Sequence, residues 1–356
     1  MEGCHRHAIT FHVHEAQIGP AMHKRTIRSW LFSLVMMAAA LPHAGAAFAQ
    51  ASAPVKLVVF TGPTPLYDAV WMADARGFYK AEGLDVEFRL FPTGATALQT
   101  FKTGQGEIVF TGDLPGVSYW ANNNQDYQMI TVLERDSKGY VAIAKKSITK
   151  AEDLKGKVIA TRVGANGSYF ITEYLKKNGL KPTDVTIKNL DGQTLPTALC
   201  QGDIDAFFIW QPFGFRALEI CGDKVHQLSN AEGYYRGYAV AAARPGWLRT
   251  PEGRDKAMRF LRATIKGKTV AESDFPAVFA YAKEKYGLSE AATRFQWEIN
   301  ERAHGFDATF QKEVCGLSAW MVGEGLLKAP IKVEELIWTD GIKELLSDKV
   351  APSTPC

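Results

Sequence analysis

The chain is poor in the side chains on which most chemistry depends. It has eight histidines in 356 residues, and six of them (His5, His7, His12, His14, His23 and His43) fall before residue 50. Only His226 and His304 remain in the long C-terminal part, far apart in sequence. That inventory argues against a histidine metal site and against histidine acid–base catalysis. No G-x-S-x-G turn is present, and no cysteine–histidine pair has sequence support, so no catalytic residue is assigned. Charge of one sign is lacking as well. Of 41 basic and 38 acidic side chains, the first 49 residues hold Arg6, Lys24, Arg25 and Arg28 against Glu2 and Glu15, which leaves 37 against 36 and a net +1. A near-neutral surface carries no footprint for nucleic acid. No apolar run reaches the roughly 20 residues a membrane span needs. Cysteine is sparse, and none stands at 49–50, where lipidation would require one.

The N-terminal region has an export pattern. Met22 opens a second start, followed by the basic His23, Lys24, Arg25 and Arg28 and an apolar stretch over 30–41. Ala47-Phe48-Ala49 then supplies a small-x-small cleavage pattern. Residues 1–49 are therefore expected to be an N-terminal extension plus a Sec signal peptide, leaving an exported, non-lipidated protein in the periplasm. The histidines of residues 1–21 belong to that extension.

Cys200, Cys221, Cys315 and Cys356 survive cleavage, an even number for an oxidising compartment. Four cysteines allow three pairings. Cys200–Cys221 is the favoured one, because the two flank a single strand–helix unit, and Cys315 is then left for Cys356. Buried free thiols are the alternative.

About 307 mature residues exceed the usual single-domain size and suggest two lobes. Short apolar runs alternate with helical segments, which argues an α/β fold with mainly parallel sheets flanked by helices. Strands are expected over 56–60, 85–90, 108–110, 128–133, 140–145, 158–161, 185–189, 206–210, 225–228 and 238–243, with a helix over 67–82 among those between them. From Pro251 onward the chain reads as helical, with Trp297, Trp320 and Leu326 as core. An internal echo supports duplication. Thr93-Gly94-Ala95-Thr96 opens a helix that ends at Gly104-Gln105-Gly106-Glu107 and leads through Ile108-Val109-Phe110 to Asp113-Leu114-Pro115. Asp191-Gly192-Gln193-Thr194 opens one that ends at Gln201-Gly202-Asp203 and leads through Ala206-Phe207-Phe208 to Trp210-Gln211-Pro212. Lobe 1 is drawn over 50–138, lobe 2 over 139–243, and 244–356 returns to lobe 1 and adds C-terminal helices.

Ligands of parallel sheets bind beyond the carboxyl ends of the strands, here in a cleft between the lobes that closes by hinge motion. Four loops end strands and open helices, where free amides suit an anion. They are Thr61-Gly62-Pro63-Thr64 with Tyr67, Thr93-Gly94-Ala95-Thr96, Thr111-Gly112-Asp113, and Gly164-Ala165-Asn166-Gly167-Ser168. The ligand set drawn from them is Thr61, Tyr67, Gly94, Thr96, Thr111, Gly112, Asp113, Asn166, Gly167 and Ser168. Trp210 is added as an aromatic wall, with Gln211 beside it. Plain helix capping by Thr96, Asp113 and Ser168 is the competing role. Asp113 would also suit an ammonium group. Trp71, inside a helix, reads as core. Arg135 and Arg162 would pair with an anion or stay solvated.

The motifs together resemble the periplasmic binding proteins for taurine, aliphatic sulfonates and nitrate, grouped with the thiamine-pyrimidine (NMT1/THI5-like) binders. The resemblance rests on Ala75-Arg76-Gly77-Phe78-Tyr79-Lys80-Ala81-Glu82-Gly83-Leu84, Gly94-Ala95-Thr96, Thr111-Gly112-Asp113-Leu114-Pro115, Leu154-Lys155-Gly156-Lys157-Val158-Ile159-Ala160, Gln201-Gly202-Asp203-Ile204-Asp205-Ala206 and Trp210-Gln211-Pro212. It implies a two-lobed type II binding-protein fold and capture of a small anionic or zwitterionic solute, a sulfonate such as taurine before nitrate, a carboxylate or a pyrimidine. It implies an importer's permease and ATPase subunits as partners, a monomer, and no cofactor. Gln211 departs from the carboxylate the family often carries there, which removes a charge. The cysteine-rich motif and histidine of the fold's pyridoxal-phosphate-using pyrimidine synthase are missing.

Overall fold

The computed structural model describes residues 53–353 and 355–356, so the export pattern over 1–49 lies outside the described residues. The first run is β1 (Val55–Thr61), α1 (Asp68–Ala75), α2 (Phe78–Ala81), β2 (Leu84–Leu90), α3 (Gly94–Phe101), β3 (Ile108–Gly112), α4 (Asp113–Asn122) and β4 (Gln128–Asp136). The second is β5 (Tyr140–Lys145), β6 (Val158–Thr161), α5 (Asn166–Lys177), β7 (Thr186–Asn189), α6 (Leu195–Gln201), β8 (Ala206–Trp210), α7 (Phe213–Cys221) and β9 (Val225–Asn230). The return begins with β10 (Gly237–Ala243), α8 (Pro245–Leu248) and α9 (Pro251–Ser273). It ends with α10 (Phe275–Tyr286), α11 (Glu290–Ile299), α12 (Ala308–Gly323), α13 (Val333–Leu336) and α14 (Thr339–Leu345).

The strands build two five-stranded sheets of the same design, ordered β2-β1-β3-β10-β4 and β7-β6-β8-β5-β9. β1 pairs in parallel with β2 and β3, and β6 with β7 and β8. β10 runs antiparallel to β3 and β4, and β5 antiparallel to β8 and β9. In each sheet four strands point one way and one is reversed. The reversed strand is in both cases the one entered after the chain has crossed between lobes. Apolar, β-branched runs such as Leu57-Val58-Val59-Phe60 suit strands buried on both faces. The echo in the sequence is a structural repeat: α3–β3–α4 and α6–β8–α7 occupy equivalent places.

The ten strands lie where the alternation of apolar runs puts them, but one is assigned to the wrong lobe. β10 is expected with the second lobe and a return at residue 244; its pairing with β3 and β4 puts it in the first, so the chain returns between β9 and β10. The error has a physical source. No helix separates β9 from β10, so the pair reads as a hairpin. The small residues Ala239, Ala241, Ala242 and Ala243 instead let β10 slot, fully buried, into the middle of another sheet. The helix expected over 67–82 is broken at Gly77, whose φ of 68° ends α1 before α2 begins. Trp71 is core, packed against Tyr281 and Tyr286. Leu326, expected inside, is exposed.

The two crossings are fastened to each other. Asp136 Oδ1 accepts from the Lys138 and Gly139 amides at 2.7 and 2.9 Å, shaping the first. The Ala231 amide in the second donates to the Ser137 and Tyr140 carbonyls at 3.1 and 2.9 Å. Disulfides join Cys200 to Cys221 and Cys315 to Cys356, with Cα separations of 5.3 and 5.1 Å, the pairing favoured from the sequence.

Candidate functional site

A cavity of about 590 Å³ lies between the sheets, at the carboxyl ends of β1, β2 and β3 on one side and of β6 and β8 on the other. Gly62, Pro63, Thr64 and Tyr67 reach it from the loop after β1, and Thr93, Gly94 and Ala95 from the loop after β2. Thr111 and Gly112 end β3, Ala165 and Asn166 open α5, and Trp210 ends β8. The reversed strands begin where the others end, so Tyr140, the first residue of β5, and Tyr238, the second of β10, arrive at the same rim. Tyr286, Leu288, Ser289 and Ala292 come from the α10–α11 corner, and Phe213, Phe215, Arg216 and Glu219 from α7.

Of the twelve residues in the sequence-derived ligand set, six line this cavity: Tyr67, Gly94, Thr111, Gly112, Asn166 and Trp210. The other six do not. Thr61 is buried behind the wall. Thr96 closes a capping box on α3, its Oγ1 accepting from the Thr93 amide at 3.1 Å while its own amide donates to Thr93 Oγ1. Gly167 packs under Thr161 and the Phe208 carbonyl. Ser168 Oγ accepts from the Gly164 amide at 3.1 Å. Gln211 Oε1 accepts from the Phe215 amide at 3.0 Å and holds the first turn of α7. Arg135 and Arg162 pair with other groups, Arg135 with Glu301 and Asp307, Arg162 with Asp191.

Asp113 is the most informative of the six. Its Oδ1 accepts from Tyr235 Oη at 2.8 Å, from the Leu114 amide at 2.9 Å, and from the Asn166 side chain. Asn166 also donates to Tyr235 Oη. A first-lobe helix, a second-lobe helix and the second crossing thus meet in one buried knot. Burial pushes the Asp113 carboxyl up to about 6, against the lowering effect of the Tyr235, Asn166 and Leu114 bonds. The carboxylate is not presented to the cavity.

Donors are available nonetheless. Thr111 is fully buried and its hydroxyl bonds to none of the described residues. Gly94 lies against it: a β-carbon there would sit 2.6 Å from Thr111 Oγ1 and 2.8 Å from its Cα. The first-turn amides of Gly94 and Ala95 have no intrahelical acceptor. Arg216, at the exposed rim, makes no ion pair among the described residues. Across the mouth, Phe215 meets Phe295 of α11 at 5.0 Å, and Ser289 Oγ donates to Glu219 Oε1 at 3.2 Å.

Several lining residues escape sequence reasoning. Gln193 stands in the echo of the Thr93–Gly94 loop, and that correspondence is the signal that points to it. Tyr140 and Tyr238 require knowing that β5 and β10 are reversed. Ser289 and Tyr286 lie far along the chain with no motif around them.

A model of the family described as NMT1/THI5 like matches residues 65–274, more than half of the chain. The chain belongs to the NMT1/THI5-like family. Proteins with different roles are similar to it. One is a taurine-binding periplasmic protein of Escherichia coli (strain K12), 30% identical over 135 residues, 38% of this chain and 42% of that one. Another is the 4-amino-5-hydroxymethyl-2-methylpyrimidine phosphate synthase THI13 of Saccharomyces cerevisiae, 27% identical over 146 residues, 40% of this chain and 42% of the synthase. The chain thus spans about two fifths of the length of these curated relatives. The alkanesulfonate-binding protein SsuA of Xanthomonas axonopodis pv. citri, bound to MOPS, has the same two-lobed fold: TM-score 0.69, 18% identity, 81% of this chain and 99% of that one. Among the described residues, no helix is long and apolar enough to cross a membrane, and no group of three His, Cys, Asp or Glu is placed to hold a metal ion.

Proposed function

We propose that this NMT1/THI5-like protein is the periplasmic solute-binding component of an ABC importer, capturing a small organic anion, a sulfonate of the taurine type first, and releasing it unchanged. The observation that carries the reading is the cavity between the lobes, which pairs the buried, unbonded Thr111 hydroxyl with the free first-turn amides of Gly94 and Ala95. Neutral donors and a helix N-terminus take up an anion without a fixed counter-charge. Both lobes contribute, so a bound solute bridges them and favours the closed arrangement over the open one. The periplasmic taurine-binding relative and the alkanesulfonate-binding structural neighbour support transport. The permease and ATPase subunits of the importer are the partners, and the protein acts as a monomer without a cofactor.

The synthase relative makes an enzyme the competing class. Neither histidine of the mature chain lines the cavity, and burial pulls His304 down to about 3, which keeps it neutral. A thermal-shift panel of taurine, alkyl and aryl sulfonates, nitrate, carboxylates and pyrimidines tests the reading. A sulfonate bound at 100 times its Kd stabilises by about 2.7 kcal/mol and raises the melting temperature. No rise with any sulfonate defeats the proposal, as does recovery of a converted product after incubation.

A further inference from the structure

We propose that the solute is an aromatic sulfonate without an ammonium group, with its ring against Trp210 and Phe213 and its anionic end at Thr111. The inference deepens the sulfonate reading and rests on it.

Three observations lead to it. The first is size. A cavity of about 590 Å³ sits within the ~300–1,000 Å³ of pockets that enclose drug-sized ligands. Taurine, a sulfonate and an ammonium joined by two methylenes, leaves most of that space to water.

The second is the wall. Tyr67, Tyr238 and Tyr286 face the cavity from the first lobe, and Tyr140, Trp210 and Phe213 from the second. Trp210 and Phe213 stand edge to face, 6.0 Å between centroids, and form a corner. Flat rings meet such a corner in offset or perpendicular contacts that add to simple burial. A two-carbon chain gains little from it.

The third is charge. A primary ammonium brings three donors that need acceptors, and ring faces satisfy its charge but not its hydrogens. Among the described residues, no ionised carboxylate is turned to the interior. Asp113 is occupied by Tyr235, Asn166 and Leu114, and Glu219 lies at the exposed rim bonded to Ser289. Among the described residues the unpaired charge at the rim is the cation Arg216, which draws anions and repels ammonium. Thr111 marks the anionic end: the residue lines the cavity beside the Gly94 and Ala95 amides, and its buried hydroxyl has no partner among the described residues.

Isothermal titration calorimetry of the purified protein tests the assignment with ethanesulfonate, taurine, benzenesulfonate, naphthalene-2-sulfonate and benzoate. The expected order is benzenesulfonate about tenfold tighter than ethanesulfonate, with taurine weaker than both. Trp210→Ala should remove the aryl advantage, so that benzenesulfonate binds no tighter than ethanesulfonate, while Trp210→Tyr keeps it. Should Trp210→Ala not fold, by circular dichroism, Phe213→Ala serves the same comparison. Taurine or ethanesulfonate binding as tightly as benzenesulfonate overturns the aromatic assignment and leaves sulfonate capture standing. Benzoate binding where no sulfonate does overturns the sulfonate reading here and above. Silence from all five ligands overturns both.

Discussion

Gly112 and Asn166 meet with no room between them: a β-carbon on Gly112 would overlap the Asn166 side-chain oxygen. Gly112 ends a strand of the first lobe and Asn166 opens a helix of the second, so the approach of the lobes is set at this point. Gly112→Ala is expected to push the lobes apart. Small-angle scattering should report a larger radius of gyration, and solute affinity should fall about tenfold or more because bridging contacts lengthen. An unchanged radius together with unchanged affinity counts against this reading of the contact.

Ser168 and Trp210 separate a local structural bond from solute binding. Ser168, the third residue of α5, accepts from the Gly164 amide and does not line the cavity, so Ser168→Ala should cost about 1 kcal/mol of stability, the net worth of one hydrogen bond, and leave solute affinity within about twofold. Trp210 lines the cavity, and Trp210→Ala should weaken binding of an aryl solute about tenfold. Calorimetry on the two variants side by side decides; a reversed pattern moves the site off this cavity.

Asp113 gives the pH dependence a definite sign. Burial raises its carboxyl to about 6 in the folded protein, whereas in the unfolded chain it titrates near ~3.9. Between those values the folded state holds more proton than the unfolded one, so stability from this group falls as pH rises from about 4 to 6 and is level above. Asp113→Asn removes the effect. Urea unfolding from pH 4 to 7 should show the variant gaining on the native protein by on the order of 2–3 kcal/mol across that window. The buried carboxyls of Asp68, Glu134 and Asp136 are shifted the same way, by burial, and cancel in the difference. A difference that does not vary with pH refutes the assignment.

The two disulfides close loops of different length, 21 residues for Cys200–Cys221 and 41 for Cys315–Cys356. On the chain-entropy account each stabilises by about 3–4 kcal/mol, the longer loop slightly more. Paired serine variants should lower the urea midpoint by corresponding amounts, with Cys315→Ser/Cys356→Ser the larger loss. Intact stability under a reductant that opens both bonds would contradict this.

Much of the fold is legible in the sequence because parallel strands buried on both faces appear as plain apolar runs such as Leu57-Val58-Val59-Phe60. Strand direction is not legible. Gly237-Tyr238-Ala239-Val240 reads the same whether it pairs forward or backward, and the lobe it joins depends on partners more than a hundred residues away. The site shows the same division. Lining residues at the ends of forward strands, such as Thr111 and Trp210, are reached by the strand–loop–helix pattern, while Tyr140 and Tyr238, at the starts of reversed strands, are not. Asp113, Thr96 and Gln211 have the right chemistry for a ligand, but local groups claim them first: a helix end that needs a cap, or a neighbour already within bonding distance.

The position of β10 between β3 and β4 also orders the making of the molecule. The second sheet is drawn wholly from residues 140–230 and can pair as soon as that stretch exists. The first sheet has a gap at its fourth place until residue 243 has been synthesised, so β4 waits for a neighbour and the slow, long-range pairing comes last. A chain cut short near residue 235 therefore holds one finished half and one half with two unpaired inner edges.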